Sequence, residues 1–490
     1  MRSERRIALA LALSGAGVYL LFSARLFALD GPVTFGTQVY DHYFLSLLDG
    51  RFDVPLRIIG LEGHYHPDGR AFVYHGLAPL LSRLLVWPFL DLRNAAFSGM
   101  SVWLFAVGGT IAYHLLFDRI VSEYGPRDAS RRRFWRLWTG VAIWASGPGI
   151  LLAANDSLFH EPIAVGYFCA GWYLYAMARV VVFGGGVAPV IVPLAILSGV
   201  AVHARPHLAI GLYTGCLLLM GHHMVSRRGE HLRRMALALG ILAAFGGALL
   251  AVNQARFGSP TRMHGTFEAS ELQYGFTYWG VEDPEGPRAI AYREHGRFNP
   301  RRVLPNALVY AVDVPEVVDG RIDAAYRALT RGLGYSHVEL PRVGFVFLWA
   351  PWLVLAGLGL RAPPVDTRLG WVAVAGPGVA ALLLLMYGTV TLRYRVDLWP
   401  FLAATCMLAM PRLLIALRDV PTPRASRVAL VLGLAGGVLV SGATALAYTD
   451  DFASGGIFAV WPLDVCEGMV QRRGFSGARA TELCVLEGRT

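Results

Sequence analysis

Lysine is missing from all 490 residues, so the 44 basic side chains are every one arginine. Any cationic site must therefore be built from arginine or histidine, and the bias points to a GC-rich bacterial genome. Charge of either sign is scarce. Charged residues make up 16 % of the chain, against roughly 25 % in soluble domains, which excludes a soluble globular protein. The alternating apolar and polar pattern of a membrane β-barrel is missing too. So are internal repeats, low-complexity tracts and any soluble catalytic fold. The net charge of +10 does not signal nucleic acid, because the arginines cluster in loops flanking apolar runs, as topology signals do. Cysteine is nearly absent, at five residues. Cys169, Cys216 and Cys406 fall in apolar runs, whereas Cys466 and Cys484 lie near the C-terminus and could pair on an oxidising face.

What remains is apolar. Hydrophobic residues form 55 % of the chain and mean hydropathy is +0.47. Uninterrupted runs of about 17–25 residues recur from end to end, the length that crosses a bilayer as helix. An all-α polytopic membrane protein is expected, because lipid leaves the backbone no partner but itself. About eleven spans are read: 7–29, 95–117, 137–153, 162–183, 188–204, 207–222, 235–252, 343–360, 369–389, 398–416 and 427–448. Arg2, Arg5 and Arg6 put the N-terminus in the cytoplasm, with 7–29 a retained anchor. The apolar stretch 77–90 carries Pro79, Arg83 and Pro88 and is read as lying in the interface, which leaves the Arg131-Arg132-Arg133 loop inside. Four regions follow: 1–253, with a first external loop at about 30–94; an external loop 254–342; spans over 343–448; and an external tail 449–490.

Polar motifs gather on the expected outer face. The first loop is rich in acids, histidines and aromatics. Asn155-Asp156…His160-Glu161, His203-Ala-Arg205-Pro-His207, Asn253-Gln-Ala-Arg256 and Arg393-Tyr394-Arg395-Val-Asp397 all sit at span ends. Ionisable groups there are costly unless they snorkel, pair or work, so each is a functional candidate. The mixture suits transfer at a lipid-linked phosphate. Arginine forks grip phosphate and keep their charge near lipid, and a carboxylate can take the proton of an acceptor hydroxyl.

The order and sidedness of these motifs resemble the C-type glycosyltransferase superfamily (GT-C), in the branch of protein O-mannosyltransferases and the lipid A aminoarabinose transferase. Tyr40-Asp41-His42-Tyr43…Asp49-Gly50 and Tyr74-His75-Gly76-Leu-Ala-Pro79-Leu80 are similar to two stretches of that branch's first loop. Asn253-Gln-Ala-Arg256-Phe257-Gly258-Ser259-Pro260 and Arg393-Tyr394-Arg395-Val-Asp397 resemble two later motifs. The resemblance covers most of 1–260 as a seven-span module and only the Arg-Tyr motif beyond it. It implies a polyprenyl-phosphate sugar donor, an inverting reaction on the external (periplasmic) face of the bacterial cytoplasmic membrane, and a base in the first loop. The family's acidic pair would fall on Thr37-Gln38, which cannot serve. Asp41 is therefore the expected base and Asp30 its rival, with His160-Glu161 orienting the acceptor or supporting the base. Arg205, Arg256, Arg393 and Arg395 are the expected phosphate ligands, Asp397 the partner of one arginine, and His42, His160 and Tyr394 supporting groups.

The acceptor, whether glycan, lipid or protein, is not readable. The external loop with Phe267, Tyr274, Tyr278 and Trp279 is expected to select it. His64-x-His66 with His42 and His75 is a thin donor set, so no metal cofactor is expected. Two other readings stay open. An O-antigen polymerase or ligase also uses external arginines, but in later loops. A transporter or flippase would show inverted repeats and mid-membrane charges.

Overall fold

The computed structural model describes residues 2–24, 36–226, 231–315, 318–335, 337–363, 369–449 and 460–485. It is overwhelmingly helical, and a helix occupies each long apolar run. Among the described residues, six helices are long and apolar enough to cross a membrane, within Arg6–Ser23, Ser98–Tyr124, Pro206–Ser226, Leu232–Phe257, Leu392–Ala416 and Arg424–Tyr448. Ile191–Val202, Ala350–Arg361 and Gly370–Leu385 are shorter apolar helices. The architecture is that of an all-α membrane protein.

Lipid gives helices little hydrophobic reason to associate, so packing and interhelical hydrogen bonds hold such bundles. Here side chains clamp neighbouring backbones. Trp138 Nε1 donates to the Leu430 carbonyl at 3.0 Å, Tyr173 to Leu212 at 3.0 Å, and Tyr19 to Trp144 at 3.0 Å. Ser146 and Ser441 both donate to the Leu348 carbonyl, at 2.6 and 3.0 Å. At about 0.6–2 kcal/mol each, several such bonds matter against a marginal total stability. Trp135, Trp352 and Trp399 fill the space between them and are fully buried.

One end of the bundle carries a polar head built from the connecting segments. Its frame is a small antiparallel sheet: β1 (Asp53–Val54), β2 (His64–Tyr65), β3 (Ala71–Phe72) and β4 (Gln273–Tyr274), in the order β1-β3-β2-β4. Side chains alternate across a strand, so this sheet has two different faces. His64, Phe72 and Tyr274 share one face, packed with Phe257. Tyr65 and Ala71 on the other join a core with Tyr278, Trp461 and two C-terminal helices, Leu463–Arg472 and Gly477–Val485. Cys466 and Cys484 form a disulfide that ties these two helices together.

The segment read as interfacial forms a short helix, Leu81–Val86. Leu84, Leu85, Trp87 and Phe89 on and after it are exposed, up to 89 % at Phe89, while Arg83 is turned inward and fully buried.

Candidate active site

A cavity of about 910 Å3 lies in the head, under the His64–Tyr274 face of the sheet. Three connections build it. Helix Leu232–Phe257 ends at Gly258, whose φ of 67° is the left-handed conformation glycine adopts without strain. That stop places Arg256 in the last turn, where the helix dipole favours a cation. Arg256 donates to the Val73 and His75 carbonyls, at 2.8 and 2.5 Å, and to Asn253 at 2.8 Å, stitching the helix to the first loop. Next, the Thr391 hydroxyl caps the turn Leu392–Arg395 by accepting from the Tyr394 N–H at 3.1 Å, which presents Arg393 and Tyr394 to the cavity. Finally, the segment before β4 brings His264 and the segment after it Arg288, Tyr292 and Arg297 onto the cavity wall.

The arginines of the wall differ in how they are paired. Arg205 is bound to Asp397 through Nε at 3.1 Å and through Nη2, and His207 Nε2 lies 3.2 Å from the same carboxylate. Arg393 meets Glu339 in a fork, at 2.7 and 3.2 Å. Arg288 pairs with Glu282, and Arg262 with Glu271 at 2.9 Å. Arg256 and Arg297 have no carboxylate partner among the described residues. Arg256 is bound to neutral acceptors only, and Arg297 donates to the Gly265 carbonyl at 2.7 Å while stacking over Tyr274 and Tyr292. His64 lies in the field of both arginines. Burial, with their charges added, pushes its pKa down to about 3, so it is neutral. Its Nδ1 accepts the Gly265 N–H at 2.6 Å, which puts the remaining proton on Nε2 as a donor. His75 and His264, also on the wall, are held well below the ordinary histidine range by burial, with Arg205 and Arg256 adding to it at His75 and Arg297 and Arg256 at His264.

Glu62 is the acid of this wall that stands apart. It has no hydrogen-bond or ion-pair partner among the described residues and lines the cavity beside Glu339. Burial raises its pKa to about 7; Arg393 and Arg288 oppose that rise and Glu339 adds to it.

The structure distributes the expected site residues in two groups. Arg205, Arg256, Arg393 and Tyr394 line the cavity, and Asp397 pairs with Arg205. The others lie elsewhere. Asp41 and Glu161 are fully buried on either side of Arg83, which donates to Asp41 at 2.9 Å and to Glu161 through both Nη atoms. A carboxylate held this way is committed to an ion pair, and Asp41, expected as the base, is not on the cavity wall, whereas Glu62 is. Arg395, expected beside Arg393, is buried against Asp313 at 3.4 Å and the Tyr310 ring and is not on the cavity wall. His160 is locked between Ser157 and Tyr448, at 2.7 and 2.8 Å, and His42 is not on the wall. Asp30 lies outside the described residues. His64 and His66 do not meet, since His66 is exposed beside Asp68. No three His, Cys, Asp or Glu side chains come together as a metal set among the described residues.

Glu62, His264, Arg288, Arg297 and Glu339 were not singled out from sequence. They sit in the segments between the long apolar helices, Arg288 on the short helix Pro287–His295, where no apolar periodicity marks them. The one available signal for Glu62 was its place in the acid-rich first loop.

Comparison with protein-family models, with curated proteins and with solved structures finds no match to this chain. The GT-C resemblance therefore stands on its motifs alone.

Proposed function

We propose that this protein is a membrane glycosyltransferase that moves a sugar from a polyprenyl-phosphate donor to an acceptor hydroxyl. The observation that carries this reading is a single cavity holding two arginines free of carboxylates, Arg256 and Arg297, and an unpaired carboxylate, Glu62, with a pKa of about 7. A buried surplus of positive charge calls for an anion, and arginine forks suit phosphate oxygens. Glu62 suits a general base, being partly ionised at neutral pH. In the reaction, the acceptor oxygen bonds to the anomeric carbon of the sugar and its proton passes to Glu62. The bond from that carbon to the phosphate oxygen breaks, and its electron pair leaves with polyprenyl phosphate. Arg256, Arg297 and the His64 Nε2–H stabilise that charge as it develops. One displacement inverts the anomeric centre.

In this reading the chain crosses the bacterial cytoplasmic membrane about eleven times. The cytoplasmic arginine loops lie at one end, and the head with its cavity faces outward into the periplasm. The exposed apolar residues around Leu84–Phe89 rest in the interface beside the head, so a polyprenyl tail can stay in lipid.

The test is transfer by the purified full-length protein in lipid nanodiscs, offered a panel of polyprenyl-phosphate sugars. Consumption of one donor, abolished in Glu62→Gln but not in Asp41→Asn, supports the reading. No donor consumed, with a solute accumulating in vesicles instead, overturns it in favour of a transporter.

A further inference from the structure

The cavity is divided electrostatically, and the two halves call for different ligands. One half centres on Arg256 and Arg297, which, with His64, His75 and His264 neutral, leave two positive charges uncompensated. The other group on the wall is Glu62, Glu339, Arg393, Tyr335 and His337, and Arg288 borders both groups, over the Tyr274 ring it shares with Arg297. Here every guanidinium has its carboxylate: Arg393 is forked by Glu339, and Arg288 is bound to Glu282. With Glu282 counted as the partner of Arg288, three carboxylates face two guanidiniums, and His337, partly exposed beside Glu339, is held below the ordinary histidine range. The tally is zero or slightly negative, depending on the proton on Glu62. An anionic group brought here would meet carboxylates that already hold the arginines, and burying it would be costly.

The same groups are well made for an uncharged polyol. An Arg–carboxylate fork keeps N–H donors and oxygen lone pairs in fixed planes, and adjacent sugar hydroxyls each offer one donor and lone pairs. Tyr335 and His337 add a flat apolar surface. Their rings lie nearly parallel, 7° apart in plane with centroids at 6.1 Å, and an electron-rich ring face attracts the C–H bonds of a sugar ring. Glu62 sits on this wall, in the field of Arg393, Arg288 and Glu339, where an acceptor hydroxyl must give up its proton.

We propose that the Glu62, Glu339 and Tyr335 half of the cavity is a binding subsite for a neutral glycan acceptor, one without carboxylate or phosphate groups. This rests on the transferase reading above, and names the acceptor class it left open.

The experiment is ligand-observed saturation-transfer NMR on the full-length protein in nanodiscs, with three probes: methyl glycosides of neutral disaccharides, a digalacturonate, and farnesyl phosphate. Neutral disaccharides are expected to bind. Tyr335→Ala and His337→Ala should each weaken them at least tenfold. Both substituted rings are partly exposed, so the fold tolerates their loss. Digalacturonate binding in place of the neutral sugars overturns the proposal, as does neutral-sugar binding indifferent to both substitutions, or no sugar binding at all. Farnesyl phosphate separates this from the transferase reading. If it binds and Arg297→Gln weakens it while no neutral sugar binds, only the acceptor class fails. If it does not bind, or Arg297→Gln leaves its binding unchanged, the transferase reading itself fails.

Discussion

Arg83 Nε donates to Asp41 across 2.9 Å, and neither side chain has any exposed surface. The same guanidinium holds Glu161, so one cation bridges two carboxylates beneath the exposed apolar helix Leu81–Val86. Burial raises the Asp41 pKa to about 6 even with Arg83 beside it. The bridge anchors that helix to the bundle.

Removing the bridge should be a stability effect and not a catalytic one. Breaking a buried pair typically costs about 3–5 kcal/mol, because the partner is left charged and unpaired. Arg83→Leu should therefore lower the thermal midpoint in detergent sharply. Asp41→Asn should retain transfer per folded molecule. A normal midpoint with no transfer in Asp41→Asn would return the base to Asp41.

Glu62 predicts a pH profile. Its pKa rises from an ordinary 4.5 to about 7 in the folded protein, so the ionised base accumulates as pH passes through 7. Transfer should climb tenfold per unit below that point and level off above it, and Glu62→Gln should abolish the climb. The folded state also holds this proton more tightly than the unfolded chain. Stability should accordingly fall as pH rises from about 4.5 to about 7, and Glu62→Gln should remove that slope.

Arg256 and Arg297 should be read in donor affinity. A hydrogen bond to a charged group contributes about 1.5–3 kcal/mol, roughly ten- to hundredfold in Kd. Arg297→Gln should raise the Kd for farnesyl phosphate by that factor with an unchanged melting point. Arg205→Gln should instead destabilise the fold, because it takes from the buried Asp397 its charged partner and leaves it His207.

Gly265 predicts a backbone effect on His64. An added Cβ would lie 2.6 Å from the Gln273 carbonyl carbon and 2.8 Å from His64 Nδ1. Gly265→Ala should push apart the loop and β4, break the N–H to Nδ1 bond and weaken phosphate binding. The amide resonance of residue 265 and titration with inorganic phosphate would report both.

The disulfide predicts a coupling between the tail and the cavity. Closing a loop of this length contributes about 3 kcal/mol against the unfolded hairpin. Cys466→Ser with Cys484→Ser should expose the hairpin to limited proteolysis. Because its helices back the sheet face opposite His64 and Tyr274, donor binding should weaken as well.

Composition alone determined that this is a helical membrane protein. Lipid leaves an apolar run of that length one way to satisfy its backbone, so helices stand wherever the runs are. Polar residues at the ends of those runs also marked Arg205, Arg256, Arg393 and Tyr394, because an arginine beside lipid must have a reason. Tertiary structure decided the rest. Whether an acid is a base or half of an ion pair depends on what lies across from it. Arg83 reaches Asp41 from 42 residues away, on a helix that otherwise reads as apolar. Arg393 and Arg395 are two positions apart in one helical turn, about 200° around the axis, so one faces the cavity and the other is buried beside Asp313. Glu62 and Arg297 line one cavity, framed by the pairing of β2 with β4 across some two hundred residues of chain. No local pattern carries such a pairing, since its energy comes from contacts that exist only once the chain has folded.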